Sequence, residues 1–221
     1  MFVRPLPLLA LCVLAAPVAP AQTVGLAGRM ENGNYVSPTG EFKFPSPVLP
    51  ELGGTVTDTP NVVTFSDNFD VHLSIACFPQ DATQKWEFET RGRRDYLLYF
   101  FTTFVLADFE ARFPGSRIES ARYVPALLDG ALIAYALLPG GSYFENKNSV
   151  LGTVDVAPVT AKRGTLLFVR RDHVYVVSSE LAERATQRST YHQTDAEEDN
   201  VLASRLTALA GRFIFTEARS H

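Results

Sequence analysis

Three clusters of side chains in this 221-residue sequence have the types and spacing for chemistry. Asp67, Asn68, Asp70 and His72 place hard oxygen ligands beside an imidazole, a set able to hold Ca²⁺ or a transition metal. The stretch lacks the Gly and the spaced Glu of a calcium loop. Asx side chains also bond their own backbone in turns, so a hairpin connection is the favoured reading. His192 lies near Asp195, Glu197, Glu198 and Asp199, where an imidazole could act as a general base or the group could bind cations. Acids crowding the first turn of a helix to complement its dipole account for the same residues. Arg91, Arg93 and Arg94 precede an aromatic helical stretch, where guanidiniums and free backbone N–H groups could take a phosphate or carboxylate. Cations there oppose the helix dipole unless an anion or Asp95 compensates, which sets this cluster apart from a solvated basic turn. Trp86, with Phe88, would give such a site an aromatic wall, or the two would mark a half-exposed edge strand. Arg91, Arg93, Arg94 and Trp86 are therefore the candidate ligand- or partner-binding residues.

Catalytic signatures are otherwise missing from the sequence. Gly140-Gly141-Ser142-Tyr143 lacks the second Gly of a nucleophile elbow, and there is no His-Glu-x-x-His, Cys-x-x-Cys or phosphate-cradling Gly-x-x-x-x-Gly-Lys. The four His stand far apart, at 72, 173, 192 and 221. No catalytic residue, metal ligand or cofactor is assigned. A hydrolase would have to build its acid/base site from His192 or His173 and carboxylates brought in by folding. With 46% hydrophobic and 20% charged residues the chain can bury a real core, and a net charge of −4 gives no basic surface for nucleic acid.

Residues 1–21 read as an export signal: Arg4 supplies the positive start, Leu8 to Ala16 the apolar stretch, and Ala19-Pro20-Ala21 a small-x-small cleavage site. Pro17 and Pro20 interrupt a run that falls short of the roughly 20 residues needed to span a bilayer. Lipidation at Cys12 is disfavoured by the bulk of Leu11. The expected location is periplasmic or secreted, with cleavage after Ala21. That cleavage would leave Cys77 as the single thiol, so no internal disulfide can form.

Residues 22–34 read as a flexible arm. Ser37-Pro38-Thr39-Gly40 is a turn leading into a short strand at Phe42 and Phe44. Strands are expected over 62–66 and 71–78, the second with Leu73, Ile75 and Cys77 on one face. Residues 91–113 carry Leu97, Phe101, Phe104, Val105 and Phe109 at helical spacing, which predicts a buried helix stopped by Pro114-Gly115. Strands follow over 118–124, 131–138, 166–169 and 174–178, the last three apolar on both faces, so both sheet faces should be covered. Residues 139–162 form a long Gly/Ser/Asn-rich connection of uncertain order. Thr194 with Glu197 makes a capping box for a closing helix whose stripe is Val201, Leu202, Leu206, Leu209 and Phe213. Residues 35–216 thus read as a single α+β domain, a mainly antiparallel sheet covered by helices in an α/β/α sandwich, with a tail at 217–221.

That order, with the opening Tyr35-x-Ser37-Pro38-x-Gly40-x-Phe42-x-Phe44-Pro45, resembles the superfamily of PsbP-like and Ran-binding Mog-type proteins. The resemblance implies an α/β/α sandwich and a binding or assembly role without a shared catalytic centre. No functional residue carries over, and the segment 140–164 departs from a minimal version of that fold. The leading expectation is an exported, non-enzymatic binding module. Its partner would be an envelope protein or a small anionic ligand, with contacts from loop 140–164 and the 91–94 turn. A small-molecule or lipid carrier is the alternative suggested by 16 Phe residues, and a well-filled core would argue against it.

Overall fold

The computed structural model describes residues 25–145, 158–187 and 190–216, so the leader, most of the long connection and the terminal tail lie outside the described residues. The centre is a seven-stranded antiparallel sheet in the order β4 (Thr55–Asp58), β5 (Val62–Ser66), β6 (His72–Pro79), β10 (His173–Glu180), β9 (Ala161–Arg170), β8 (Ala131–Leu138) and β7 (Arg117–Val124). A second, four-stranded sheet joins β1 (Arg29–Glu31), β2 (Asn34–Val36), β3 (Phe42–Pro45) and β11 (Ile214–Phe215). β11 brings the end of the described chain back onto β3, with Phe215 paired to Phe42. Within the arm expected over 22–34, Arg29–Glu31 form β1. Its backbone pairs in the β1–β2 hairpin, and Asp58 accepts hydrogen bonds from Ala27 and Gly28 N–H at 2.8 and 2.7 Å.

Strand periodicity sends alternate residues to two cores. Tyr135, Leu166, Phe168, Tyr175 and Ile75 face the small sheet and α5 (Asp195–Ala210), the helix that follows the short α4 (Glu183–Thr186), and Phe168 and Tyr175 stack at 4.8 Å. Cys77 lies on this side, paired across the sheet with Tyr175, and burial pushes its thiol up to about 11. Leu132, Ala134, Ala136, Leu167 and Val176 face the helices α1 (Ala82–Arg91), α2 (Arg93–Phe100) and α3 (Ala107–Arg112). Every residue of β8 is buried because each of its faces has a cover. The architecture is the expected three-layer α+β sandwich.

The expected helix over 91–113 exists, but it begins at Arg93 and its middle, Phe101–Leu106, is π-helical. It is also less enclosed than its apolar sequence implies: Tyr96, Leu97, Phe100 and Phe101 are buried, whereas Leu98 and Phe104 are exposed. Residues 86–90 are not a strand. Asp81 caps α1 by accepting the Gln84 N–H at 2.8 Å, and Gly92, at φ 75°, turns the chain sharply into α2. A two-residue aromatic alternation does not outweigh those end signals.

The closing helix has the expected capping box, with Thr194 and Glu197 bonded reciprocally. It lies close to the sheet at Gly164, where an added Cβ would fall 3.1 Å from the Cβ of Leu202. Beside that contact Lys162 is fully buried, and its Nζ meets Glu119 of β7 together with Glu198 (3.1 Å) and Asp199 (2.7 Å) of α5. Burial works to lower the Lys162 pKa, yet the bonds to Asp199, Glu119 and Glu198 outweigh it and hold the ammonium above its usual value. Lys162→Met would leave these carboxylates crowded without their cation, at a cost of about 3–5 kcal/mol. The expected readout is a large fall in the urea midpoint of the folded chain; an unchanged midpoint would remove Lys162 from its structural role.

Candidate functional site

The helical layer does not fill the face it covers. Between α2, the π-helical turn and α3 on one side and β5, β6 and β10 on the other runs an open cleft of about 940 Å³. Its floor is graded by strand register. At one end His72 and Arg163 line it, on either side of the buried Glu180. Next come Thr64, Ser74 and Ser178, directly opposite one another on three strands, with Ser178 bonded at 3.0 Å to the buried Thr165 beside it. Beyond them lie Val62, Ala76 and Val176, then Phe78. The wall is Phe100, Phe104, Val105 and Phe109, and the π-helical turn supplies Phe104 and Val105. Such turns within α-helices occur frequently at functional sites.

The charged end is held tightly. Glu180, only 1% exposed, accepts from the Ser142 hydroxyl at 2.6 Å and from the Tyr143 N–H at 3.1 Å. His72 Nδ1 lies 3.5 Å from it, and the His72 ring stacks on Tyr143 at 4.3 Å. Arg163 donates to the Gly141 carbonyl at 3.2 Å, stands 3.8 Å from Glu180, and lies beneath the rings of Phe109 and Phe113. Its Nε is buried and has no hydrogen-bond partner among the described residues. Burial lowers the Arg163 pKa from its ordinary value. Burial also works to raise that of Glu180, but the bonds from His72, Ser142 and Tyr143 and the charge of Arg163 bring it below the usual range.

Ser, His and Glu meet here, yet their order is not that of a nucleophilic relay. The carboxylate sits between the hydroxyl and the imidazole, so Ser142 donates to Glu180 and not to a histidine, unlike the hydroxyl of a Ser-His-Asp triad. The two histidines considered for a hydrolase, His173 and His192, are elsewhere, whereas His72 of the Asp67 cluster is the one at this site. His173 Nδ1 bonds the Arg171 carbonyl at 2.7 Å in the β9–β10 turn, His192 is exposed, and neither meets a carboxylate among the described residues. Glu198 and Asp199 of the acidic cluster pair with Lys162, which also meets Glu119 and donates to the Asp195 backbone carbonyl at 3.2 Å. The Asp67 cluster is a turn: Asp67 Oδ1 accepts from the N–H groups of Phe69, Asp70 and Val71.

Arg91, Arg93, Arg94 and Trp86 do not converge on one site. Arg91 ends α1 rather than starting a helix, pairs with Glu87 and lies over Tyr99 at 4.3 Å. Arg93 donates to the Val169 carbonyl at 3.0 Å and covers Phe88. Arg94 is exposed, as is Trp86 at 60%. The sequence reading passes over Arg163 and Glu180. Lone charges at the ends of the apolar runs 164–169 and 174–177 were the available signal, and residues 161–164 belong to β9 rather than to the long connection.

The described residues thus form an α/β/α sandwich with a cleft under its helical layer. The chain is similar to the solution structure of cyanobacterial PsbP from Synechocystis sp. PCC 6803, at 15% identity and a TM-score of 0.48 over 91% of this chain and 100% of that one. It is also similar to the Saccharomyces cerevisiae Ran-binding protein Mog1p, at 10% identity and a TM-score of 0.46 over 85% and 96%. No protein-family model and no curated protein matches the chain.

Because the folded Glu180 carboxyl lies below its ordinary value of 4.5, its contribution to stability is present above that value and is lost as pH falls through the folded pKa. Glu180→Gln should cost about 2 kcal/mol at neutral pH. Urea unfolding should then show a smaller loss on acidification than in the unsubstituted chain. Parallel acid limbs for the two proteins would contradict this role.

Proposed function

We propose that the chain is an exported, non-catalytic binding module that holds a small, largely apolar ligand in the cleft. The observation that carries this reading is the open volume between the helical layer and the sheet, which falls within the range of ligand sites. A lining of Phe, Val and Ala with a few convergent polar groups is the composition such sites have. The Ser142 hydroxyl meets a buried carboxylate whose pKa is held low, hence a weak base, and this supports a role without catalysis. Export is supported by the leader-like residues 1–21, and no helix among the described residues is long and apolar enough to cross a membrane. Trp86, Arg91 and Arg94, exposed on α1 and at the start of α2, are the residues proposed to meet an envelope partner. Arg93 is left out because its guanidinium is engaged on Val169.

The test fills the cleft from its floor. Aminoanthracene, an apolar fluorescent probe, should bind the purified chain with enhanced emission. Ser74→Phe, which projects a ring into the open volume from a partly exposed position, should weaken that binding at least about tenfold. Equal binding by both folded proteins, or none by either, would overturn the cleft as the ligand site.

A further inference from the structure

Given that the cleft is the ligand site, we propose that it takes a single-chain amphiphile with a carboxylate head, held head-first at Arg163. The graded floor sets the direction. A charged row gives way to a row of hydroxyls and then to Val62, Ala76 and Val176, so one end is polar and the other oily. A ligand matched to that gradient has a polar head and an apolar tail; a uniformly apolar ligand would strand the polar row, and a uniformly polar one would waste the aromatic wall.

The sign of the head follows from which charges are already spent. Asp81 caps α1, and Asp108 binds the Arg112 guanidinium at 2.7 Å. Both Glu180 oxygens are engaged by Ser142, Tyr143 and His72. Arg163 is different: one nitrogen bonds a neutral carbonyl, the nearest carboxylate is 3.8 Å away, and Nε has no partner among the described residues. A guanidinium in a low-dielectric site with an unspent donor favours a planar monoanion that accepts two hydrogen bonds. A cationic head would meet Arg163 and Arg112 together, both of which line the cleft.

Calorimetric titration of the purified chain with dodecanoate and dodecanol separates head from tail, since the two share the same chain. Dodecanoate should bind at least about tenfold more tightly, the difference expected of a charge-assisted bond over a neutral one. Arg163→Gln should bring that ratio down to about one. Arg112→Gln, at the exposed rim where folding is not at stake, should lower it by about threefold. Equal affinities of the unsubstituted chain for both compounds would overturn the carboxylate head and leave the cleft reading standing. Binding of neither would overturn both.

Discussion

One buried ammonium fixes the geometry on which the rest of the molecule depends. Lys162 leaves β9 toward α5 and draws carboxylates from β7 and α5 around a single Nζ. Leu202 and Leu206 pack closely over Gly164, and the charge contacts add direction to that packing. Tyr191 and Arg184 add bonds to Glu198, so the network also ties down the segments leading into the helix. With that layer fixed, the central sheet is held flat against one cover and can leave part of its other face open.

Neighbouring residues of one strand thus do opposite jobs. Lys162 points to the packed side and Arg163 to the cleft, because side chains alternate across a strand. The first cation is fully paired and structural. The second is loosely paired and faces an open volume. The same alternation in β6 places Cys77 among core side chains and Ser74 on the cleft floor.

Much of this was legible in the sequence. Alternation found β3, β5 and β6, the two-faced apolar runs found β8 and the core of β9 and β10, and Thr194 with Glu197 marked the start of α5. What escaped has physical reasons. β1, β4 and β11 are edge strands of two to four residues, too short for an alternation to show, and β11 pairs with a strand distant in sequence. α1 buries none of its residues and so shows no apolar stripe, only its end signals. The cleft was hidden because it comes from incomplete coverage: the apolar helix that reads as fully buried leaves Phe104 exposed along one wall. Arg163 fell at the edge of a Gly-rich stretch, where a charge reads as loop rather than as the start of a strand.

Cys77 is the lone cysteine of the described residues, and its thiol stands opposite Tyr175 with its acidity suppressed by burial. A thiol that stays protonated is a poor nucleophile toward disulfides and oxidants. The sandwich is therefore built without a redox-sensitive bond, and the described fold should persist alike in oxidising and reducing surroundings. Such indifference to redox poise means that neither passage through a reducing interior nor arrival in an oxidising space would have to trigger or reverse its folding.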